Sequence, residues 1–282
     1  MTNNPESTGS GTLLVGISNP ATAHRLVRLS AALASTGSLQ ILLTHVVTVA
    51  DQISLTTGKS SPEVVRARDF LQEVQENAAS DGVEGRALVE VARSVDEGLL
   101  AAAESHDAGM ILVGYSEEGG VFDEKEEERF DRAVHRVARK ASADVVVARF
   151  RNEGFRRILV PVSADGPLPL ISLLCRALAS VPETQLTFLN ITHPGDEEEV
   201  GREDLARTLA DDGLAELGDF QLRASENPVE AILRESIDYD LVVVGPSRPP
   251  GFMGKLFSSK SREIAEEAPV SVLLAWSRAT DR

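Results

Sequence analysis

The sequence contains an internal repeat: two halves of the chain show the same succession of apolar runs and amphipathic segments. The first half opens with "TLLVGIS" from Thr12, and the second opens with "RILVPVS" from Arg157. Each opening run is followed by a segment with helical periodicity, "ATAHRLVRLSAALAS" in the first half and "LPLISLLCRALAS" in the second. A chain of 282 residues has room for two domains of ordinary size. The repeat therefore predicts two domains with one fold.

The later segments of the two halves correspond in the same order. Runs typical of strands occur as "LQILLTHVV" and "TQLTFLNIT", as "GRALVEVA" and "DFQLRAS", as "AGMILVGYS" and "YDLVVVGPS", and as "ADVVVARF" and "VSVLLAW". Amphipathic segments separate them, including a predicted helix over residues 203–217. Ser94 and Asn227 are predicted N-caps because each precedes a glutamate by three residues. Each half alternates strands and helices, which indicates an α/β fold with a parallel sheet covered on both faces.

Hydropathy and composition indicate where the chain works. Its apolar runs are far shorter than the roughly 18 to 20 residues of a membrane-spanning helix. Residues 1–11, "MTNNPESTGSG", lack the basic and apolar regions of a signal peptide and are predicted to be a disordered lead. We therefore predict a soluble, cytoplasmic protein. The excess of acidic residues over lysine suits a high-salt cytoplasm.

The charge of the chain argues against nucleic acid as a partner. The formal net charge is −16 and the pI is about 4.8, whereas binding a phosphate backbone requires a basic surface. The acidic clusters at residues 124–129 and 196–199 are interpreted as solvated surface rather than as docking sites.

Few side chains suggest chemistry. The single cysteine, Cys175, lies on the apolar side of a predicted helix, and we interpret it as a packed thiol rather than a nucleophile. The histidines are scattered without metal-ligand spacing, so no metal is predicted, and His45 is expected to be a core or sheet-end imidazole. The sequence has no nucleophile elbow or Walker loop, and no paired carboxylates stand out. The chain is therefore not predicted to be an enzyme.

Segments of the second half resemble the universal stress protein family, present here as a tandem pair. "RRILVPVSADG" resembles the opening strand of that family, and "DYDLVVVGPS" followed by "EIAEEAPVSVLL" resembles its fourth strand, last helix and last strand. The resemblance implies two tandem doubly wound domains, Rossmann-like and similar to adenine nucleotide alpha hydrolases, each with a five-stranded parallel sheet of order 3-2-1-4-5. Domain 1 then covers residues 12–150 as a degenerate copy, and domain 2 covers residues 155–277.

The resemblance also implies that the fifth strands of the two domains pair with each other. Single-domain members form this pair as dimers, whereas a tandem chain forms it within itself. Ala143–Ala148 and Val270–Ala275 are the predicted contact. The resemblance leaves open whether whole chains also assemble into a homo-oligomer.

Ligands of open α/β sheets bind at the carboxyl ends of the strands, where the strand order reverses. For order 3-2-1-4-5 this point lies between strands 1 and 4. ATP-binding members of the family carry the pattern G-x2-G-x9-G-[S/T] after strand 4 and usually an acidic residue after strand 1. In the second half Gly245 and Ser259 match this pattern. Arg248 and Ser258 stand where the pattern has glycines, and Ser163 stands where it has the acid.

The resemblance thus implies a degenerate nucleotide or anion site in the second half. Its candidate residues are Ser163, Gly245, Arg248, Gly254, Ser258 and Ser259. Three outcomes stay open: the loop binds ATP or AMP, it binds another anion at a helix N-terminus, or its serines only cap that helix. In the first half the loop "YSEEGGVFDEKEEERFD" is crowded with acids that repel a phosphate. That half is predicted to be a structural partner.

These observations favour a non-catalytic module of the stress response or of regulation, with a degenerate ATP, AMP or anion site in domain 2. A different interpretation is a soluble regulatory domain that acts in trans on a membrane amino-acid permease or antiporter, because the paired domains and their loops resemble those appended to such transporters. An ATP-hydrolysing enzyme is the third alternative, and the missing glycines and the lack of a base argue against it.

Overall fold

The computed structural model describes residues 11–37, 39–115, 133–162, 169–195, 198–245 and 259–277. These residues form two compact units. The first contains residues 11–113 and 133–143, and the second contains residues 114–115 and 144–277. Most of the predicted disordered lead and the acidic cluster at 124–129 lie outside the described residues. In the part of the chain that is described, no helix is both long and apolar enough to cross a membrane.

The first unit is built on parallel strands in the order β3-β2-β1-β4. Its elements are β1 (Thr12–Gly16), α1 (Pro20–Gly37), β2 (Gln40–Thr48), α2 (Leu55–Gly58), α3 (Pro62–Ser80), β3 (Gly85–Ala92), α4 (Val95–Ser105), β4 (Ala108–Tyr115) and helix α5 at 133–140. The central strand β1 is buried on both faces, as a strand between two layers of helices must be.

The described part of the second unit contains six strands in the order β5-β10-β9-β6-β7-β8. Its elements are β5 (Asp144–Arg149), β6 (Arg157–Pro161), α6 (Pro169–Ala179), β7 (Gln185–Thr192), α7 (Glu198–Asp211), β8 (Gly218–Ala224), α8 (Pro228–Ser236), β9 (Leu241–Val244), α9 (Ser259–Glu267) and β10 (Ser271–Trp276). The strands that belong to the second half of the sequence are parallel and follow the order 3-2-1-4-5. The α/β fold and the strand order predicted from the sequence are therefore confirmed.

The fifth strand of the first half belongs by its contacts to the second unit. β5 pairs antiparallel with β10 over Val145–Arg149 and Val272–Trp276. The pairing of the two fifth strands predicted from the sequence is thus confirmed. The repeat in the sequence does not predict that β5 packs with the second unit. Along the chain β5 follows the first four strands, so the repeat assigns it to the first half.

Local signals set several helix ends. The side-chain oxygens of Ser94 and Asn227 accept the backbone N–H of the residue three positions later, so both predicted N-caps are confirmed. The helix predicted over residues 203–217 ends earlier, at Asp211. Gly213 has φ +64°, and Leu214 N–H donates to the carbonyl of Leu209, so the chain leaves the helix in a glycine C-cap.

Candidate functional site

In both units the strand order reverses at the first strand of the half. β1 lies between β2 and β4, and β6 lies between β7 and β9. The carboxyl ends of these strands form the edge at which open α/β sheets bind ligands. The candidate site is therefore the end of β6 and β9 in the second unit, and the end of β1 marks the equivalent edge in the first.

The two edges differ in how far the central strands stay paired. In the first unit Leu13–Gly16 of β1 pair continuously with Met110–Val113 of β4. A Cβ on Gly16 would come within 3.0 Å of Val113 Cγ1, so the glycine permits this close approach. Among the described residues of the second unit, only Ile158 and Leu159 of β6 pair with β9.

Pro161 accounts for the shorter pairing in the second unit. Val162 N–H donates to the carbonyl of Leu189 in β7, at 2.8 Å, so Val162 points its backbone towards β7. Backbone direction alternates along a strand, and Pro161 therefore points towards β9, where it has no N–H to donate. The hydrogen-bonded ladder between β6 and β9 therefore ends before Pro161, whereas the ladder of the first unit continues to Gly16.

The end of β9 is hydrogen-bonded to α9, the last helix of the second unit. The Ser261 hydroxyl donates a 2.9 Å hydrogen bond to the carbonyl oxygen of Gly245, and Ser261 is buried. This bond holds the first turn of α9 next to the end of β9. That turn contains no acidic residue, and the dipole at a helix N-terminus favours an anion.

A side chain from the second strand holds the end of the first strand in both halves. Asn190 Nδ2 donates to the carbonyl of Val162 at 2.9 Å, and His45 Nδ1 lies 2.8 Å from the carbonyl of Ile17. The two pairs are equivalent. Ile17 N–H donates to the carbonyl of Thr44, which precedes His45, and Val162 N–H donates to the carbonyl of Leu189, which precedes Asn190. These bonds fix the carbonyl that opens each first-strand loop.

The structure places two of the six predicted site residues. Gly245 follows β9 directly and is partly exposed, and Ser259 is the first residue of α9. The Ser261 bond brings these two segments together at one edge. The other candidates, Ser163, Arg248, Gly254 and Ser258, lie outside the described residues.

Three residues at this edge were not among the predicted site residues. Pro161 was visible in the sequence as a proline inside an apolar strand, and Asn190 as a single amide in the apolar run "TFLNIT". Ser261 had no comparable signal, since it is one of several serines around the start of a helix.

Other groups with chemical potential lie away from the edge. Burial raises the pKa of the Cys175 thiol to about 12, which agrees with a packed side chain. Among the described residues, no three His, Cys, Asp or Glu side chains are grouped to hold a metal ion. A polar groove of about 330 Å³ in the second unit is lined by Arg157 and Gln185, at the amino ends of β6 and β7, and by residues of β8 and α8, such as Arg223 and Glu235.

Comparison with known proteins agrees with this architecture. The sequence model of the universal stress protein family matches residues 10–149. The chain belongs to the universal stress protein family. The matched part is the first half, although the motifs quoted above are more complete in the second. A search of curated proteins gave no significant match.

Solved structures with the same fold cover nearly the whole of this universal stress protein. A protein of unknown function from Pseudomonas aeruginosa PAO1 is 14% identical with a TM-score of 0.61, covering 95% of this chain and 92% of its own. A universal stress protein from Archaeoglobus fulgidus DSM 4304 is 17% identical with a TM-score of 0.57, covering 95% and 96%. The cytoplasmic domain of a prokaryotic cation chloride cotransporter is 14% identical with a TM-score of 0.59, also covering 95% and 96%. At these identities the likeness concerns the fold.

Proposed function

We propose that this universal stress protein is a non-catalytic regulatory module of the cytoplasmic stress response, with an adenine nucleotide or another anion bound at the edge between β6 and β9. The observation that carries the proposal is the early end of the β6–β9 ladder at Pro161. We infer that the strands can separate at the point of strand reversal in the second unit, whereas the same point in the first unit stays paired.

The chemistry of this edge suits a negatively charged ligand. The first turn of α9 lacks acids and is held against the end of β9 by the Ser261 bond. In the sequence, Arg248 and Lys255 add positive charge between these two segments, in a chain that is otherwise strongly acidic. An ATP or AMP phosphate is the ligand that family membership suggests, and an unrelated anion is the alternative.

The proposal is tested by identifying what the purified protein carries and binds. Denatured protein is analysed for released nucleotide by mass spectrometry, and ATP, AMP and inorganic phosphate are then titrated calorimetrically. We expect binding of at least one of these, weakened about tenfold or more by Arg248→Ala, because a charged hydrogen bond contributes about 1.5–3 kcal/mol. Pro161→Val restores an N–H towards β9, so it should extend the ladder between β6 and β9 and weaken binding.

The control for a serine substitution at a helix start is Ser94→Ala, at the N-cap of α4 in the first unit. Ser259→Ala is expected to weaken binding while Ser94→Ala leaves it unchanged. If ATP, AMP and phosphate all fail to bind, the site is wrong. Steady turnover of ATP by the purified protein would instead contradict the non-catalytic assignment.

A regulatory partner of a membrane transporter is the second candidate. It is favoured by the likeness to a transporter's cytoplasmic domain, which extends over 95% of this chain. The test compares flotation of the protein with native membrane vesicles and with protein-free liposomes made from the same lipids. Flotation only with native vesicles supports a membrane-protein partner, and equal behaviour with both preparations contradicts it.

A further inference from the structure

β3 is the outer strand of the first unit, and its outward edge has no strand neighbour among the described residues. It pairs with β2 over eight residues without a bulge. Along it, Arg86 and Ala87 are exposed, and Leu88, Val89 and Glu90 are partly buried. A long, regular edge of this kind presents N–H and C=O groups to which another strand can pair.

Two hydrogen bonds show which residues of β3 face outwards. The Ala92 carbonyl accepts the N–H of Val49, which follows β2, so the backbone of Ala92 points towards β2. The Gly85 carbonyl accepts a side-chain N–H from Gln75 of α3 instead. Because direction alternates along the strand, the odd-numbered residues 85–91 point their backbone groups away from β2.

The outward edge of β3 is complementary to the same edge of a second copy of the chain. In an antiparallel pair of two copies centred on Leu88, Ala87 of one copy lies opposite Val89 of the other, and both present outward N–H and C=O groups. In the same register Arg86 lies opposite Glu90 of the other copy, at a non-hydrogen-bonded pair, where side chains approach most closely. Neither the Arg86 side chain nor the Glu90 side chain has a hydrogen bond or an ion pair with another described residue.

The other outer strand, β8, carries the reversed arrangement. Asp219 and Arg223 occupy the positions that correspond to Arg86 and Glu90. An antiparallel contact between β3 of one copy and β8 of another would therefore place like charges opposite each other. Such head-to-tail contacts lead to rings or open filaments, whereas contact of β3 with β3 closes a two-fold dimer.

β3 is better suited to self-pairing than β8. Arg223 already forms a 2.7 Å ion pair with Glu235 of α8 and a hydrogen bond to Gln221, so β8 would have to give up these contacts. Beside β3, a groove of about 750 Å³ is lined by α3 residues such as Gln72 and by Ala87 and Val89. It leaves room for the Val89 side chain of the other copy, which would lie on the same face as Ala87.

We propose that a second copy of this chain binds along β3, antiparallel and centred on Leu88, with two symmetric ion pairs between Arg86 and Glu90. The dimer extends the sheet of the first unit and does not depend on the nucleotide site. Sedimentation equilibrium of the full chain tests it, with the variants Arg86→Glu, Glu90→Arg and the double exchange. Far-UV circular dichroism verifies that each variant is folded.

Each single reversal replaces two attractive pairs by two repulsive ones, and we expect it to raise the dimer dissociation constant about tenfold or more. The double exchange restores the pairing and should return the constant to near the wild-type value. Arg86→Glu makes the chain more acidic and Glu90→Arg makes it less acidic, so a general charge effect would move the two variants in opposite directions.

Asp219→Arg, the matched reversal on β8, is the control and should leave the dimer constant unchanged. The proposal is overturned by a wild-type chain that stays monomeric at every concentration, or by single reversals without effect. It is equally overturned if the double exchange fails to recover the dimer, or if Asp219→Arg weakens it as much as Arg86→Glu does.

Discussion

At the scale of single residues, His45 makes the stability of the first unit depend on pH. Its ring is partly buried and packs edge to face on Phe70, with 5.9 Å between the two ring centroids. Its Nδ1 is hydrogen-bonded to the Ile17 carbonyl. Burial is the larger effect and lowers the pKa of His45 below its ordinary value of 6.5, while the hydrogen bond raises it. In the folded protein this imidazole therefore resists protonation.

The sign of the pH dependence follows from this shift. Below pH 6.5 the unfolded chain binds a proton at residue 45 more readily than the folded chain, so the free energy of unfolding should fall as the pH falls through that value. His45→Asn keeps a donor to Ile17, as Asn190 does for Val162, and should flatten this slope. Urea unfolding between neutral and mildly acidic pH measures it, and His193→Asn controls for exchanging an exposed histidine. An unchanged slope in His45→Asn would contradict the assignment.

Cys175 is a probe of opening in the second unit. It is fully buried in α6, and burial raises its pKa to about 12, so the reactive thiolate is scarce and inaccessible in the folded chain. We expect a thiol reagent to label the native protein only as fast as it unfolds, and to label it rapidly in denaturant. Cys175→Ser should lower the free energy of unfolding by about 1–3 kcal/mol, because it buries a hydroxyl in an apolar site. Rapid labelling of the native protein would contradict this packing.

At the scale of elements, one side chain of β5 holds the end of α9. Arg149 is 4% exposed, and its guanidinium donates to the carbonyls of Ala265 and Ala268 at the carboxyl end of that helix. Arg149→Met keeps the apolar stem but leaves these carbonyls without that donor. We expect the free energy of unfolding, measured in urea, to fall by about 1–3 kcal/mol, and the backbone amides of α9 to exchange hydrogen faster.

Arg156→Met is the control for removing an arginine from the same region. Arg156 forms an exposed ion pair with Glu183, with 74% of its side chain accessible, so its loss should change stability by less than about 0.5 kcal/mol. If the two substitutions lower the free energy of unfolding equally, the buried contacts of Arg149 do not stabilise α9.

Element order was predictable from the sequence, whereas the shape of the candidate site was not. The apolar runs and helical periods fix which segments are strands and helices, and right-handed crossovers leave few arrangements of them. The early end of the β6–β9 ladder depends instead on whether Pro161 faces β7 or β9, which is decided by the register of β7. Likewise the Ser261 contact with Gly245 depends on how α9 packs, and no local pattern encodes that.

At the scale of the whole molecule, the repeat in the sequence and the compact units divide the chain differently. The repeat ends the first half after β5, near Phe150, because the β5 sequence resembles that of β10 in composition and position. The contacts of the structure instead group β5 with the second unit, from Asp144 onwards. The interstrand hydrogen bonds to β10 account for this, and they join residues more than a hundred positions apart in the sequence, beyond the reach of local patterns.

This grouping predicts how fragments of the chain behave. A fragment of residues 144–282 keeps β5 on β10, whereas a fragment of 155–282 leaves β10 as an open edge and removes Arg149 from α9. The shorter fragment should be at least about 2 kcal/mol less stable in urea, from the uncapped carbonyls and the lost strand contacts. It should also associate through β10 as its concentration rises, since an open apolar edge strand pairs readily.

A fragment of residues 150–282 separates the effect of β5 from that of the segment that follows it. Asn152 donates to the Asp240 carbonyl, and the backbone N–H groups of Arg151 and Asn152 donate to the Ser271 hydroxyl, so this segment also binds the second unit. If β5 is the stabilising element, residues 150–282 behave like the short fragment in stability and in association. If they match residues 144–282, the segment after β5 accounts for the difference, and β5 contributes little to the second unit.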